Sequence, residues 1–128
     1  MIWFVALGSA AGGSARYVLT IWIQRLTSGS FPAATLPINV TGSFALGILA
    51  RGVVAAPSWS PEVRLALTTG FCGGCTTFST FSLETVSLIE SGQWRQATLH
   101  VVVSALAGIL AMFAGVLVAR AIHGPKAP

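Results

Sequence analysis

Apolar residues fall along this chain in four long runs separated by short polar punctuation. The first runs from about Ile2 to Ile23 and stops at Gln24-Arg25 and the polar stretch Thr27-Ser28-Gly29-Ser30. The second runs from about Ala33 to Val54 and ends in the turn-rich connector Ala56-Pro57-Ser58-Trp59-Ser60-Pro61. The third runs from about Val63 to Ile89 and is closed by Ser91-Gly92. The fourth runs from about Ala97 to Ala119, ahead of the short tail His123-Gly124-Pro125-Lys126. A helix needs about 20 mostly apolar residues to cross the hydrocarbon core of a bilayer. The runs are too long for barrel strands and show no period-two alternation. The pattern therefore predicts an all-α integral membrane protein with four transmembrane helices in a single domain, residues 1–128. Ser60 ahead of Pro61 and Glu62 predicts an N-cap with proline in the first turn. Trp3, Trp22, Trp59 and Trp94 all fall near span ends, where aromatic residues anchor at the membrane interface.

Composition sharpens this. Of 128 residues, 54% are apolar and only 8% are charged, against roughly 25% charged in soluble domains. A soluble globular domain and a disordered chain are both excluded. The net charge of +4 comes from seven Lys/Arg against three acids. The basic residues stand singly, with no run or aromatic interleaving, so nucleic acid is not an expected partner. No Gly-Lys-Ser/Thr phosphate loop is present, so no nucleotide is expected either. The first apolar run lacks a preceding basic region and is expected to be a spanning helix, not a cleaved leader. With four spans, Arg51, Arg64, Arg120 and Lys126 share one side and Arg25 and Arg95 the other. That weak bias permits insertion in either direction.

Polar side chains at membrane depth normally face a partner helix or an aqueous path. The third run concentrates them. At about 100° per residue, Thr76, Thr80 and Glu84 share one face. Phe78 and Phe81 share a neighbouring face with Thr77 and Thr85, and Ser79 and Ser82 form a further stripe. Gly73-Gly74 sits near the middle of this run, where helix propensity is poor. Two readings stand: a helix break that frees backbone carbonyls for an ion, or close helix packing through the GxxxG pair Gly70 and Gly74. Asn39 reads either as an interhelical hydrogen bond or as a donor lining a pore. Arg16 reads as an electropositive vestibule or as a snorkelling side chain, and Glu84 as an ion-path carboxylate or a structural hydrogen bond. Cys72-Gly73-Gly74-Cys75 is a CxxC, but no second ligand pair or thioredoxin-like pattern accompanies it, which favours two buried thiols. His100 is expected near an interface, packed or wet, and is given no role.

Three segments together resemble the fluoride ion channels of the CrcB/Fluc family. They are Gly12-Gly13-Ser14-Ala15-Arg16-Tyr17, then Asn39-Val40-Thr41-Gly42-Ser43-Phe44 with Gly47, then Thr69 to Ser82 with Glu84. The third is long and compositionally odd, which makes it the most specific. The sequence departs from the family at Cys75, often a larger apolar residue, and at Gly108, where some relatives carry a hydroxyl. The resemblance implies an antiparallel, dual-topology homodimer with two fluoride pores in a bacterial-type inner (plasma) membrane, and a third helix broken near its middle. It implies a structural sodium ion at the dimer interface, held by backbone carbonyls of Gly73 and Thr76. It maps the pore phenylalanines to Phe78 and Phe81 and the pore asparagine to Asn39. The hydroxyls of the polar track map to Ser79, Thr80 and Ser104.

Those residue types suit fluoride. The ion is strongly hydrated, so leaving water is costly unless donors replace the shell. Amide and hydroxyl groups are neutral donors, and an aromatic ring offers a positive edge. Such moderate donors bind an anion without trapping it. The expected function is passive, fluoride-selective export that lowers cytoplasmic fluoride, not an enzymatic reaction. The alternatives are a small proton-coupled multidrug-type exporter using Glu84, a thiol oxidoreductase using Cys72 and Cys75, and a packing protein without transport.

Overall fold

The computed structural model describes residues 1–27, 33–55 and 59–124. The polar run beyond Thr27, the middle of the connector at Ala56 to Ser58, and the tail from Pro125, including Lys126, lie outside the described residues. The described chain is helical without strands. Helix α1 spans Ile2–Leu26 and α2 spans Thr35–Ala55. Helix α3, Pro61–Leu65, runs into a π-helical turn, π1, Ala66–Cys72, and then into α4, Gly73–Cys75. Helix α5 spans Phe78–Glu90 and α6 spans Trp94–His123. The first and fourth runs are thus longer as helices than their apolar cores, because helical hydrogen bonding continues into the flanking residues Gln24 to Leu26 and Trp94 to Gln96. Among the described helices, the stretch Trp94–Ile122 is long and apolar enough to cross a membrane by length and composition.

Local chemistry explains the element ends. Ser60 caps α3, its hydroxyl oxygen accepting from Val63 N–H at 3.4 Å, with Pro61 as the first helical residue. The Glu62 carboxyl is held below its ordinary pKa by its own backbone N–H and by the Ser60 hydroxyl. Gly92, at φ 76°, supplies the left-handed residue that turns α5 into α6, and Gln93 N–H donates to Leu88 O at 2.8 Å across it.

Helix packing depends on small residues. Helix α1 lies along the π1–α4 arm, and α2 along α6. A Cβ on Gly8 would overlap the Ala66 carbonyl oxygen and lie 3.0 Å from Gly70 Cα. Gly12 meets the Phe71 carbonyl and Gly74 meets Ser9 in the same way. Two GxxxG pairs, Gly8/Gly12 and Gly70/Gly74, therefore form one seam of close backbone approach. In the second pair of helices Gly47 and Gly115 cross, each against the other helix's backbone.

The third run is broken, but not at its glycines. Gly73 is helical (φ −63°, ψ −36°). The chain leaves helical geometry at Thr76 (φ −86°, ψ 151°) and Thr77 (φ −151°, ψ 121°). So Gly73-Gly74 lies in the last turn of the arm, where Gly74 packs on α1, and the break follows Cys75. The break also changes the partner of the run. Before it the arm rests on α1; after it α5 rests on α6.

The core is small. Buried apolar residues among those described are Ala34, Ile38, Cys72, Cys75, Leu88, Ala97 and Ala119. Large side chains such as Leu106, Ile109, Leu110 and Phe113 on α6 face outward. This inverts the soluble pattern, in which large apolar side chains fill the interior.

Candidate functional site

The break builds the site. In a continuous α-helix the N–H of Thr77 would close on the Gly73 carbonyl, and that of Thr80 on the Thr76 carbonyl. Both are diverted. Thr77 N–H donates to Asn39 Oδ1 at 3.0 Å, and Asn39 Nδ2 donates back to the Thr77 carbonyl at 3.3 Å. Thr80 N–H donates to Thr77 Oγ1 at 3.3 Å, which makes Thr77 the N-cap of α5. Gly73 and Thr76 therefore lack their α-helical donors, and they are the two carbonyls that the sequence resemblance marks for a cation. The last helical bond before the break is Thr76 N–H to Cys72 O at 2.9 Å.

Beside the break lies a cleft of about 300 Å³. Asn39 and Ser43 of α2, Phe78 and Phe81 of α5, and Ser104 and Gly108 of α6 line it, with Thr76 and Thr77 at the break itself. Every lining residue is uncharged. The two rings sit 5.4 Å apart between centroids, tilted by 39°. Ser104 Oγ is buried and has no hydrogen-bond partner among the described residues. One Asn39 N–H remains after its bond to Thr77, since the amide carries two.

Five of the sequence-predicted residues thus meet at one place: Asn39, Thr76, Phe78, Phe81 and Ser104. Gly73 stands at the end of the arm. Ser79 and Thr80 do not line the cleft. They belong to the cap of α5, with Ser79 Oγ 3.0 Å from Thr77 Oγ1, and Thr80 Oγ1 accepting from Thr77 Oγ1 at 3.3 Å. The hydroxyl stripes are largely occupied by their own helices. Thr76 donates to Cys72 O at 3.0 Å, Ser82 to Phe78 O at 2.9 Å and Thr85 to Phe81 O at 2.8 Å. A hydroxyl has one proton to give, so these three present only acceptors sideways. Arg16 stands on α1 and does not line the cleft, and its Nε is buried and unbonded among the described residues.

Glu84 is also outside the cleft. Its Oε1 accepts from Thr35 Oγ1 at 2.6 Å, and its Oε2 lies 3.4 Å from His100 Nε2. Of the two settings expected for His100, the structure shows the packed one. His100 is 2% exposed, and its ring lies against Phe81 with centroids 5.1 Å apart. Sequence reading missed this cluster, although the spacing His100–Ser104 on one face of α6 pointed to it. Ser43 and Gly108 were also missed as lining residues. Cys72 and Cys75 are both buried free thiols, and no group of three or more His, Cys, Asp or Glu suited to a metal occurs among the described residues.

The sequence matches the family described as "CrcB-like protein, Camphor Resistance (CrcB)" over residues 3–116. Curated relatives carry the name "Fluoride-specific ion channel FluC". That of Methylobacterium sp. (strain 4-46) is 52% identical over 118 residues, 92% of this chain and 91% of the relative. That of Rhizobium meliloti (strain 1021) is 42% identical over 120 residues, 94% and 96% of the two chains. That of Paramagnetospirillum magneticum (strain ATCC 700264 / AMB-1) is 46% identical over 124 residues, 93% and 94%.

Proposed function

The chain belongs to the CrcB-like family of membrane proteins, and on that premise we propose that it is a fluoride-selective ion channel that passively exports fluoride. The observation that carries this reading is the uncharged cleft in which the Asn39 amide, the unbonded Ser104 hydroxyl and the rings of Phe78 and Phe81 converge. An anion entering it exchanges part of its water shell for neutral donors and ring edges. A ring of buried Arg or Lys side chains there would hold the ion more tightly and slow its release. The membrane potential supplies the drive, about 2.3 kcal/mol per elementary charge per 100 mV, and expels an anion from a cell that is negative inside.

Two further elements belong to the proposal. The first is an antiparallel, dual-topology homodimer in the bacterial inner membrane. On the single chain the cleft is open to one side and Phe78 is 78% exposed, so a second copy would supply the missing wall. The outward-facing apolar residues of α6 suit lipid. The second is a structural sodium ion held by the carbonyls of Gly73 and Thr76. Diversion of the Thr77 and Thr80 N–H groups frees oxygen ligands of the hard type that such a cation takes. Bound there, sodium would hold the broken helices together and offset part of the anion's electrostatic cost.

Fluoride efflux from proteoliposomes without an imposed proton gradient tests the channel reading. Loss of flux on dialysing sodium away tests the cation. The exporter alternative would demand a proton gradient and would stop on Glu84→Gln; the names of the relatives do not favour it. Ion conduction is not an enzymatic reaction, and replacing Cys72 and Cys75 by serine should leave it in place.

A further inference from the structure

A second polar layer lies one helical turn from the cleft, and each of the same three helices contributes to it. On α2, Thr35 stands four residues before Asn39; on α5, Glu84 stands three after Phe81; on α6, His100 stands four before Ser104. These spacings place each pair on one helix face. The layer is closed by contacts: Thr35 Oγ1 to Glu84 Oε1 at 2.6 Å, and Glu84 Oε2 to His100 Nε2 at 3.4 Å. Phe81 joins the two layers. Its ring lines the cleft and also lies on the His100 imidazole, 5.1 Å between centroids at 33°.

Among the described residues, charged groups stand on the elements packed around His100 as follows. Helix α6 packs on α2 and α5. Helix α5 brings Glu84 against the imidazole, while its other acid, Glu90, is exposed six residues further on. Helix α2 brings the uncharged Thr35, with Arg51 sixteen residues further along. On α6 itself the nearest charge is Arg95, which is exposed.

We propose that the His100–Glu84 pair is a proton switch on the anion path, which speeds fluoride past Phe81 when it gains a proton. The inference rests on the reading of the cleft as a fluoride path. With neutral imidazole and ionised carboxylate the layer carries one negative charge and repels an approaching anion. One proton cancels that charge, and a second makes the layer positive. The sign is the same whichever group takes the proton, as holds for a pair that titrates as a unit. Histidine is the side chain that proteins use for proton switches in the physiological range. Phe81 would carry the effect, because it touches both the switch and the ion.

The test is fluoride efflux from proteoliposomes at equal internal and external pH, stepped from about pH 8 to about pH 6, with the leak of protein-free vesicles subtracted at each step. Wild-type flux is expected to rise at least threefold. His100→Gln and His100→Phe, the latter keeping the ring on Phe81, should flatten the rise. Glu84→Gln should raise flux at pH 8 above wild type. Wild-type flux that is present but flat overturns the switch, as does a rise that persists unchanged in either His100 variant that assembles. Absence of fluoride flux at every pH would instead overturn the channel reading itself.

Discussion

The side-chain amide of Asn39 and the backbone N–H and carbonyl of Thr77 hold each other by two hydrogen bonds across 38 residues of chain, Nδ2 to carbonyl at 3.3 Å and N–H to Oδ1 at 3.0 Å. This bridge takes the N–H that would have continued the helix and so creates both the break and the cleft. Asn39→Ala should leave the half-buried Thr77 N–H without a partner, at a cost of about 1–3 kcal/mol, while the Thr77 carbonyl keeps its bond within α5. Thermal unfolding in detergent should occur well below wild type, and fluoride flux should fall with it. Asn39→Asp should keep the bond from Thr77 N–H but lose the donor and add a negative charge. It is expected to retain more stability than Asn39→Ala and to pass almost no fluoride.

Ser104 separates conduction from stability. Its hydroxyl has no partner among the described residues, so Ser104→Ala removes no bond from the fold. Unfolding temperature should be unchanged or slightly raised. A hydrogen bond to a charged group contributes about 1.5–3 kcal/mol, so loss of this donor should lower fluoride throughput about tenfold or more. Equal flux in the two proteins would remove Ser104 from the path.

The two phenylalanines should respond differently. Phe78 is mostly exposed on the single chain, while Phe81 is half-buried and packed on His100. Phe78→Ile should lower flux with little effect on the unfolding temperature. Phe81→Ile should lower flux and also destabilise, by about 0.5–1.5 kcal/mol for the lost ring contact. Side-by-side flux and thermal melts check this, and normal flux in both variants would refute the role of the rings.

Packing of α1 gives a test independent of transport. A Cβ at Gly8 would overlap the Ala66 carbonyl, whereas one at Gly13 would meet nothing within 4 Å. Gly8→Ala should cost about 1–3 kcal/mol through overpacking, seen as poor assembly on size exclusion. Gly13→Ala should be tolerated, with up to about 1 kcal/mol gained from helix propensity.

These contrasts show where the sequence was legible. The four apolar runs mark α1, α2, the α3–π1–α4–α5 run and α6 because apolar length is a local property. Glycine content showed that the third run is weak, but not where it parts. Gly73 and Gly74 keep helical backbone, and Gly74 is used for packing on Ser9. The rupture at Thr76-Thr77 is decided by Asn39, distant in sequence, competing for one N–H. Hydroxyl periodicity likewise does not show which protons are free to face an ion. Thr76, Ser82 and Thr85 spend their protons on carbonyls one turn back, a choice that spacing does not reveal. The His100–Glu84–Thr35 layer joins three runs, and no single run announces it.

The central claim is that this chain conducts fluoride through a neutral cleft. The most direct measurement is efflux from proteoliposomes of purified protein, loaded in turn with fluoride and with chloride, driven by a potassium potential and read with ion-selective electrodes. Rapid fluoride release with chloride retained is the predicted result. Retention of fluoride by vesicles that contain well-assembled protein, or equal release of both ions, would contradict it.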